Sequence, residues 1–175
     1  MRGIKKEWIL VACFIASTAA ATVVVRAPFN EQAKKADLVL VGKVTRVEDI
    51  EISGFPFSRA IISIEEVIAG TTSNAEIYVL QPGGKKRTGG QAIVGGMRYL
   101  KAGDEVFLML RARGDGGYEI IGFNQGHYPL MKDKHTGRRV IEVNENGRKK
   151  YLTVDGAKRR IHAVRAGSSS EEGGR

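Results

Sequence analysis

Glu105-Val106-Phe107-Leu108-Met109-Leu110 decides how the rest of this chain is read. Successive side chains of an extended strand point to opposite faces, so an unbroken apolar run covers both of them. Such a strand lies at the centre of a β structure, with packed layers on either side. Ala102-Gly103-Asp104 leads into it and Gly114-Asp115-Gly116-Gly117 follows it, both of them turn signals. Upstream, residues 38–47 form a strand that is apolar at first and then mixed, with Gly42 marking a bulge or bend. Residues 60–67 and 76–80 read as the next two strands, with Ala69-Gly70 as a turn between them, and residues 118–123 follow the central strand. A short helix over residues 31–36 opens this body, with Asn30 as its N-cap and Glu31 in its first turn. Strands at this spacing predict a barrel or sandwich.

The charge is unevenly placed. Of a net +9, residues 29–131 contribute nothing, with twelve basic and twelve acidic side chains. Residues 132–165 carry eleven Lys or Arg against four acids. This basic section reads as a β-meander: residues 139–143, the Asn146-Gly147 turn, residues 149–154, the Asp155-Gly156 turn, then a short strand at Arg159-Arg160-Ile161-His162. Residues 166–175 contain nothing apolar larger than Ala and read as a disordered tail.

The N-terminus reads as an export signal. Arg2, Lys5 and Lys6 precede the apolar run of residues 8–16, and Ser17, Thr18, Ala19, Ala20 and Ala21 supply small residues for a cut after Ala21 or Ala19. Two other readings stay open: an uncleaved anchor over residues 8–25, and a lipoprotein signal in which Leu10-Val11-Ala12-Cys13 is the lipobox. The expected location is therefore exported, whether periplasmic, cell-surface or secreted. Cys13 is the sole cysteine, so a chain cut after Ala21 holds itself together by its core without disulfides. The expected organisation is a signal peptide at 1–21, a barrel at 22–131, a basic β-meander extension at 132–165 and a tail at 166–175.

Several motifs together carry a resemblance. They are Ala36-Asp37 before the strand ending in Gly42-Lys43-Val44, the pattern Ile62-Ser63-Ile64-Glu65-Glu66-Val67-Ile68-Ala69-Gly70, and Gln81-Pro82-Gly83-Gly84. Tyr99-Leu100-Lys101-Ala102-Gly103-Asp104 at the entry to the central strand and Ile121-Gly122-Phe123-Asn124-Gln125-Gly126 complete the set. In these the chain resembles a group of exported bacterial proteins with an OB-fold-like barrel, similar to the tissue inhibitors of metalloproteinases and to netrin-type domains. The resemblance implies a mainly β protein: an OB-fold-like antiparallel β-barrel with a short N-terminal helix and a C-terminal β-hairpin or meander extension. Proteins of this group are often encoded near matrixin-like zinc proteases, a neighbourhood and no more. The animal inhibitors chelate the protease zinc through an N-terminal cysteine. A processed chain starting at Thr22-Val23-Val24-Val25-Arg26 has none, so that mechanism does not carry over. These motifs are structural punctuation and point to a fold more than to an activity.

Catalytic constellations are not legible. There is no G-x-S-x-G elbow and no H-E-x-x-H helix. His127, His135 and His162 are scattered and read as surface side chains, with no metal and no cofactor expected. Gly83, Gly84, Lys85, Lys86 and Arg87 read as a mobile loop, because their spacing is not that of a phosphate loop. Glu65 and Glu66 read as solvated charge at a strand end rather than an acid–base pair. Arg148, Lys149 and Lys150, with Lys158, Arg159 and Arg160, form the candidate anionic-surface site, suited to lipid headgroups, acidic polysaccharide or an acidic protein. Nucleic acid is not expected of an exported chain. A solvated, charged edge that discourages strand-to-strand aggregation is the plainer reading of the same triplets. The expected function is that of a non-catalytic binding or accessory module of the envelope or extracellular space. Its expected partner is a protein, a secreted metalloprotease among the candidates. The alternative is electrostatic attachment through the basic triplets.

Overall fold

A computed structural model describes residues 27–86, 88–145 and 147–172. The signal of residues 1–21, the alternative anchor, Arg87 and Asn146 lie outside the described residues. The protein is mainly β, with a short helix near the N-terminus and a second helix at the C-terminal end. The elements are α1 (Phe29–Lys35), β1 (Leu38–Ile52), β2 (Phe55–Ala69), β3 (Glu76–Pro82), β4 (Gly84–Lys85), β5 (Gln91–Ala92), β6 (Glu105–Ala112), β7 (Tyr118–Ile120), β8 (His127–Pro129), β9 (Met131–Lys132), β10 (Arg139–Glu145), β11 (Arg148–Thr153) and α2 (Val154–Glu172).

Pairing in the main sheet runs β1-β2-β3-β7-β6-β8, and β6 also pairs with β1. All of these pairs are antiparallel except β3 with β7, which are parallel through Val79↔Tyr118 and Leu80↔Glu119. A second sheet has the order β11-β10-β9, and β4 pairs with β5 alone. The β1–β2 hairpin extends further at both strands than residues 38–47 and 60–67 suggest. It turns on Ser53 and Gly54, whose φ values of 51° and 81° are those of a two-residue hairpin turn. Register shifts between Val41 and Gly42, as a bulge there requires. A Cβ on Gly42 would lie 2.5 Å from the Ser63 carbonyl oxygen, so only glycine lets β2 approach.

The central strand behaves as its composition dictates. One face of β1 and β6 (Leu38, Leu40 and Val44 with Val106, Leu108 and Leu110) packs with Ala60, Ile62, Val79 and Leu100. The opposite face (Val39 and Val41 with Phe107 and Met109) packs against Phe29 and Ala33 of α1, Tyr128, Ile141 and Val143 of β10, and Ala157 and Ile161 of α2. Residues 139–161 thus close the outer core of the body to which they attach. At its centre, the Phe29 and Phe107 rings each meet Tyr128 edge-on, at 5.7 and 6.0 Å between centroids.

Four local expectations are corrected. Asn30 does not cap α1. The helix begins at Phe29 behind Pro28, and the Asn30 Oδ1 accepts a hydrogen bond from Arg160 Nε at 2.7 Å. Asp155-Gly156 is no hairpin turn, and Arg159 to His162 form no strand, because both lie inside α2. Thr153 caps that helix, its Oγ1 accepting from the Gly156 N–H at 3.0 Å, with Asp155 in the first turn where the dipole favours an acid. The signal was present: Val154, Ala157 and Ile161 recur at helical spacing, and all three are buried. The helix backbone then continues to Glu172, through residues assigned by composition to a disordered tail. Propagation from a packed first half adds one hydrogen bond per residue without needing apolar side chains.

Candidate functional site

The six basic residues of the C-terminal section are built mainly into the fold. Lys149 pairs with Glu142 at 3.0 Å and Lys150 with Glu145 at 2.8 Å, each across the β10–β11 ladder. Lys158 pairs with Glu66 of β2, and Arg160 reaches Glu145 and lies 5.2 Å over the Phe29 ring. Arg139 holds Glu65 at 2.5 Å, and Arg165 donates to the Ala33 and Ala36 carbonyls at the end of α1. Glu65 and Glu66 are thus two anchors for the C-terminal elements. Arg148 and Arg159 alone among the six candidates are exposed without an ion pair among the described residues. The triplets separate, one on β11 and one on α2.

Lys150 and Arg160 hold the Glu145 carboxyl below the ordinary carboxylate range. A depressed carboxylate contributes stability above its unfolded pKa and loses it as pH falls through the folded value. Glu145→Gln is therefore expected to loosen the C-terminal elements at neutral pH. In acid, below the usual carboxylate range, variant and parent converge, as amide exchange on β10 and α2 measured at both pH values will show.

The glycine-rich segment after β3 makes backbone hydrogen bonds over its described part. The Gly83 N–H donates to Pro56 O, the Lys85 N–H to Asp49 Oδ1 and the Lys86 N–H to Gly90 O, at 2.9 to 3.0 Å. Tyr99 Oη and the buried Gln81 amide then tie the following connection back to β3. Tyr99 donates to Pro82 O at 3.0 Å, while Gln81 donates to Arg98 O at 3.0 Å and accepts from the Leu100 N–H at 2.9 Å.

This tethering forms one wall of a cleft of about 770 Å³. The cleft is lined by residues 95–98, by residues 122–125 of the β7–β8 connection and His127 of β8, and by Glu142, Asn144 and Lys149. The second wall follows from register. In β10 Ile141 and Val143 face the core, leaving Glu142 and Asn144, with their ladder partners Tyr151 and Lys149, on the outward face. Tyr151 donates to Glu142 Oε2 at 3.3 Å.

Two features set this cleft apart. Phe123 has φ 69°, a left-handed backbone that is unusual and costly for a bulky side chain, yet the residue is 51 % exposed. Beneath it in sequence, the buried atoms Asn124 Oδ1 and His127 Nε2 have no hydrogen-bond partner among the described residues. The other ends of both side chains are engaged. Asn124 Nδ2 donates to Gly96 O at 3.1 Å, and His127 Nδ1 lies 3.3 Å from Arg98 O. Burial pushes the His127 pKa down to about 4, so the ring is neutral at neutral pH. With Nδ1 protonated toward a carbonyl, Nε2 is a bare acceptor. His127 is only 7 % exposed and corrects the reading of all three histidines as surface groups; His135 and His162 are exposed. Among the described residues no group of three or more His, Cys, Asp or Glu is placed to hold a metal, and no helix is long and apolar enough to cross a membrane. No protein-family model and no curated protein matches the chain.

Proposed function

We propose that this chain is an exported, non-catalytic binding module, an OB-fold-like barrel that presents the Phe123 cleft to a protein partner. The antiparallel circuit β1-β2-β3-β7-β6 returning to β1, with the parallel step at β3–β7, supports the barrel reading. The signal-like residues 1–21 support export. The observation that carries the site is Phe123, a half-exposed aromatic residue in a backbone conformation that is unusual for a bulky side chain. Met97, Arg98, Met131 and Tyr151 surround the same cleft or its outward wall, and aromatic, Met and Arg side chains are those enriched at protein interfaces. A secreted metalloprotease, engaged without a cysteine, is one partner this surface suits. Electrostatic attachment through the basic triplets is the weaker reading, because Lys149, Lys150, Lys158 and Arg160 already hold carboxylates.

Phe123→Gly separates folding from function. Glycine accepts φ 69° without strain, a gain of roughly 1–2 kcal/mol, partly offset by the greater freedom of the unfolded chain. The variant is expected to be up to about 1 kcal/mol more stable in urea unfolding. It is also expected to lose the partner that the parent chain captures from envelope and secreted fractions. Capture of the same partner with undiminished yield refutes the site.

A further inference from the structure

We propose that the open edge of β1, from Thr45 to Ile52, receives an extended segment of a partner protein as an added strand, and that this segment alternates basic and apolar side chains. None of these β1 residues lines the Phe123 cleft, so the surface is a second one.

The edge exists because β1 outruns its neighbour. β6 pairs with β1 only from Leu38 to Lys43. The Val44 N–H then donates to Asp104 O, and Val44 O accepts from the Gly103 N–H. Among the described residues no further backbone–backbone hydrogen bond reaches β1 from that side. Its other side stays paired with β2 as far as Ile52↔Phe55. The strand therefore offers backbone donors and acceptors beyond the end of β6, which is the template that strand addition uses.

The side chains along this edge select what enters. A register shift lies between Val44 and Arg46, and Val44 before it and Val47 after it both pack on the inner core. Arg46, Glu48, Ile50 and Ile52 thus share the outer face with their ladder partners Ile61, Arg59, Phe57 and Phe55. Arg46 and Arg59 both hold Glu48, at 2.7 and 2.5 Å. Past that ion pair the outer face is apolar, and at its tip Ile52 is 37 % and Phe55 69 % exposed. The other face of the same edge carries Asp49 and Glu51, both exposed and neither in an ion pair among the described residues.

Cross-strand neighbours share a face, and like charges directly opposite destabilise a ladder. A second copy of β1 would bring Glu48, Asp49 and Glu51 against the same three acids, with only Arg46 to offset them. Such acids keep apolar and acidic strands off an edge. A strand with Lys or Arg beside Asp49 and Glu51 turns the same charges into attraction, and its alternate apolar side chains then lie beside Ile50 and Ile52.

The test titrates three heptapeptides into the purified chain: alternating Lys and Val, alternating Glu and Val, and the Lys–Val sequence with every backbone amide methylated. The Lys–Val peptide is expected to shift the amide resonances of residues 45–52 and slow their exchange. The Glu–Val and methylated peptides should each bind about tenfold or more weakly. Glu51→Lys, at an exposed position, should narrow or reverse the preference between the two charged peptides, and Phe123→Gly should leave it unchanged. Equal binding of the methylated peptide overturns strand addition, and equal binding of the Glu–Val peptide overturns the charge selection. Binding lost in Phe123→Gly places the peptide in the cleft, which overturns this inference and leaves the cleft standing. No shift at residues 45–52 overturns the edge as a binding surface, whatever the cleft does.

Discussion

Phe107→Ala is expected to remove about 3–5 kcal/mol of stability, the usual cost of truncating a fully buried phenylalanine. Whole domains of this size are stable by only about 5–15 kcal/mol, so the variant should be near its unfolding threshold. The position explains the size of the effect. Phe107 is fully buried on the face of β6 that meets α1 and the C-terminal elements. Its ring packs edge-on to Tyr128 and within 6.5 Å of Phe29, so alanine leaves a cavity bordered by two stiff rings that collapse poorly. The neighbouring Leu108 points to the opposite cluster. Leu108→Ala should therefore destabilise the strand circuit as a whole, whereas Phe107→Ala should first release α1 and α2. Thermal unfolding monitored together with amide exchange on α2 distinguishes the two. Equal protection of α2 in both variants would show that the outer core is not a separable layer.

His127 should make the chain acid-sensitive well above the carboxylate range. Its folded pKa of about 4 lies below the ordinary 6.5 of an unfolded histidine. Between those values the unfolded chain binds a proton that the folded chain refuses, so stability falls as pH drops from 6.5 to about 4. A difference near two and a half units corresponds to about 3 kcal/mol when fully developed. Below pH 4 both states are protonated and this contribution stops growing. Desolvation is the main cause, opposed by the contact with Arg98 O. His127→Gln should flatten the decline between pH 6.5 and 4.5 in urea unfolding. Glu142 and Glu145, whose carboxyls are held low by Lys149 and by Lys150 with Arg160, act only in stronger acid and leave that window clean. An unchanged slope in the variant would mean that the ring is solvated.

Legibility differed sharply between elements. The burial of both faces of β6 followed from its composition, because a continuous apolar run admits no other packing in a strand. The hairpin of β1 and β2 was only half visible. Glu48, Asp49 and Glu51 break its apolar pattern, and the Ser53-Gly54 turn is a weaker signal than Asn-Gly. In α2 the dense charges of Lys158, Arg159 and Arg160 hid a spacing that Val154, Ala157 and Ile161 carry. The cleft was not legible at all. Residues 121–126 stood out as a motif, but nothing local shows that Asn124 and His127 will meet the carbonyls of Gly96 and Arg98.

The chain by itself determined a mainly β body, its central strand, and a basic C-terminal section, because periodicity and charge are local properties that need no partner. Only the tertiary structure decided what that basic section does. Its lysines and arginines meet Glu65, Glu66, Glu142 and Glu145, and pairing depends on distance in space, which separation along the chain does not reveal. The same is true of His127. A histidine's exposure, tautomer and pKa are set by the atoms packed around it, and those come from β6, from residues 95–98 and from the β7–β8 turn at once.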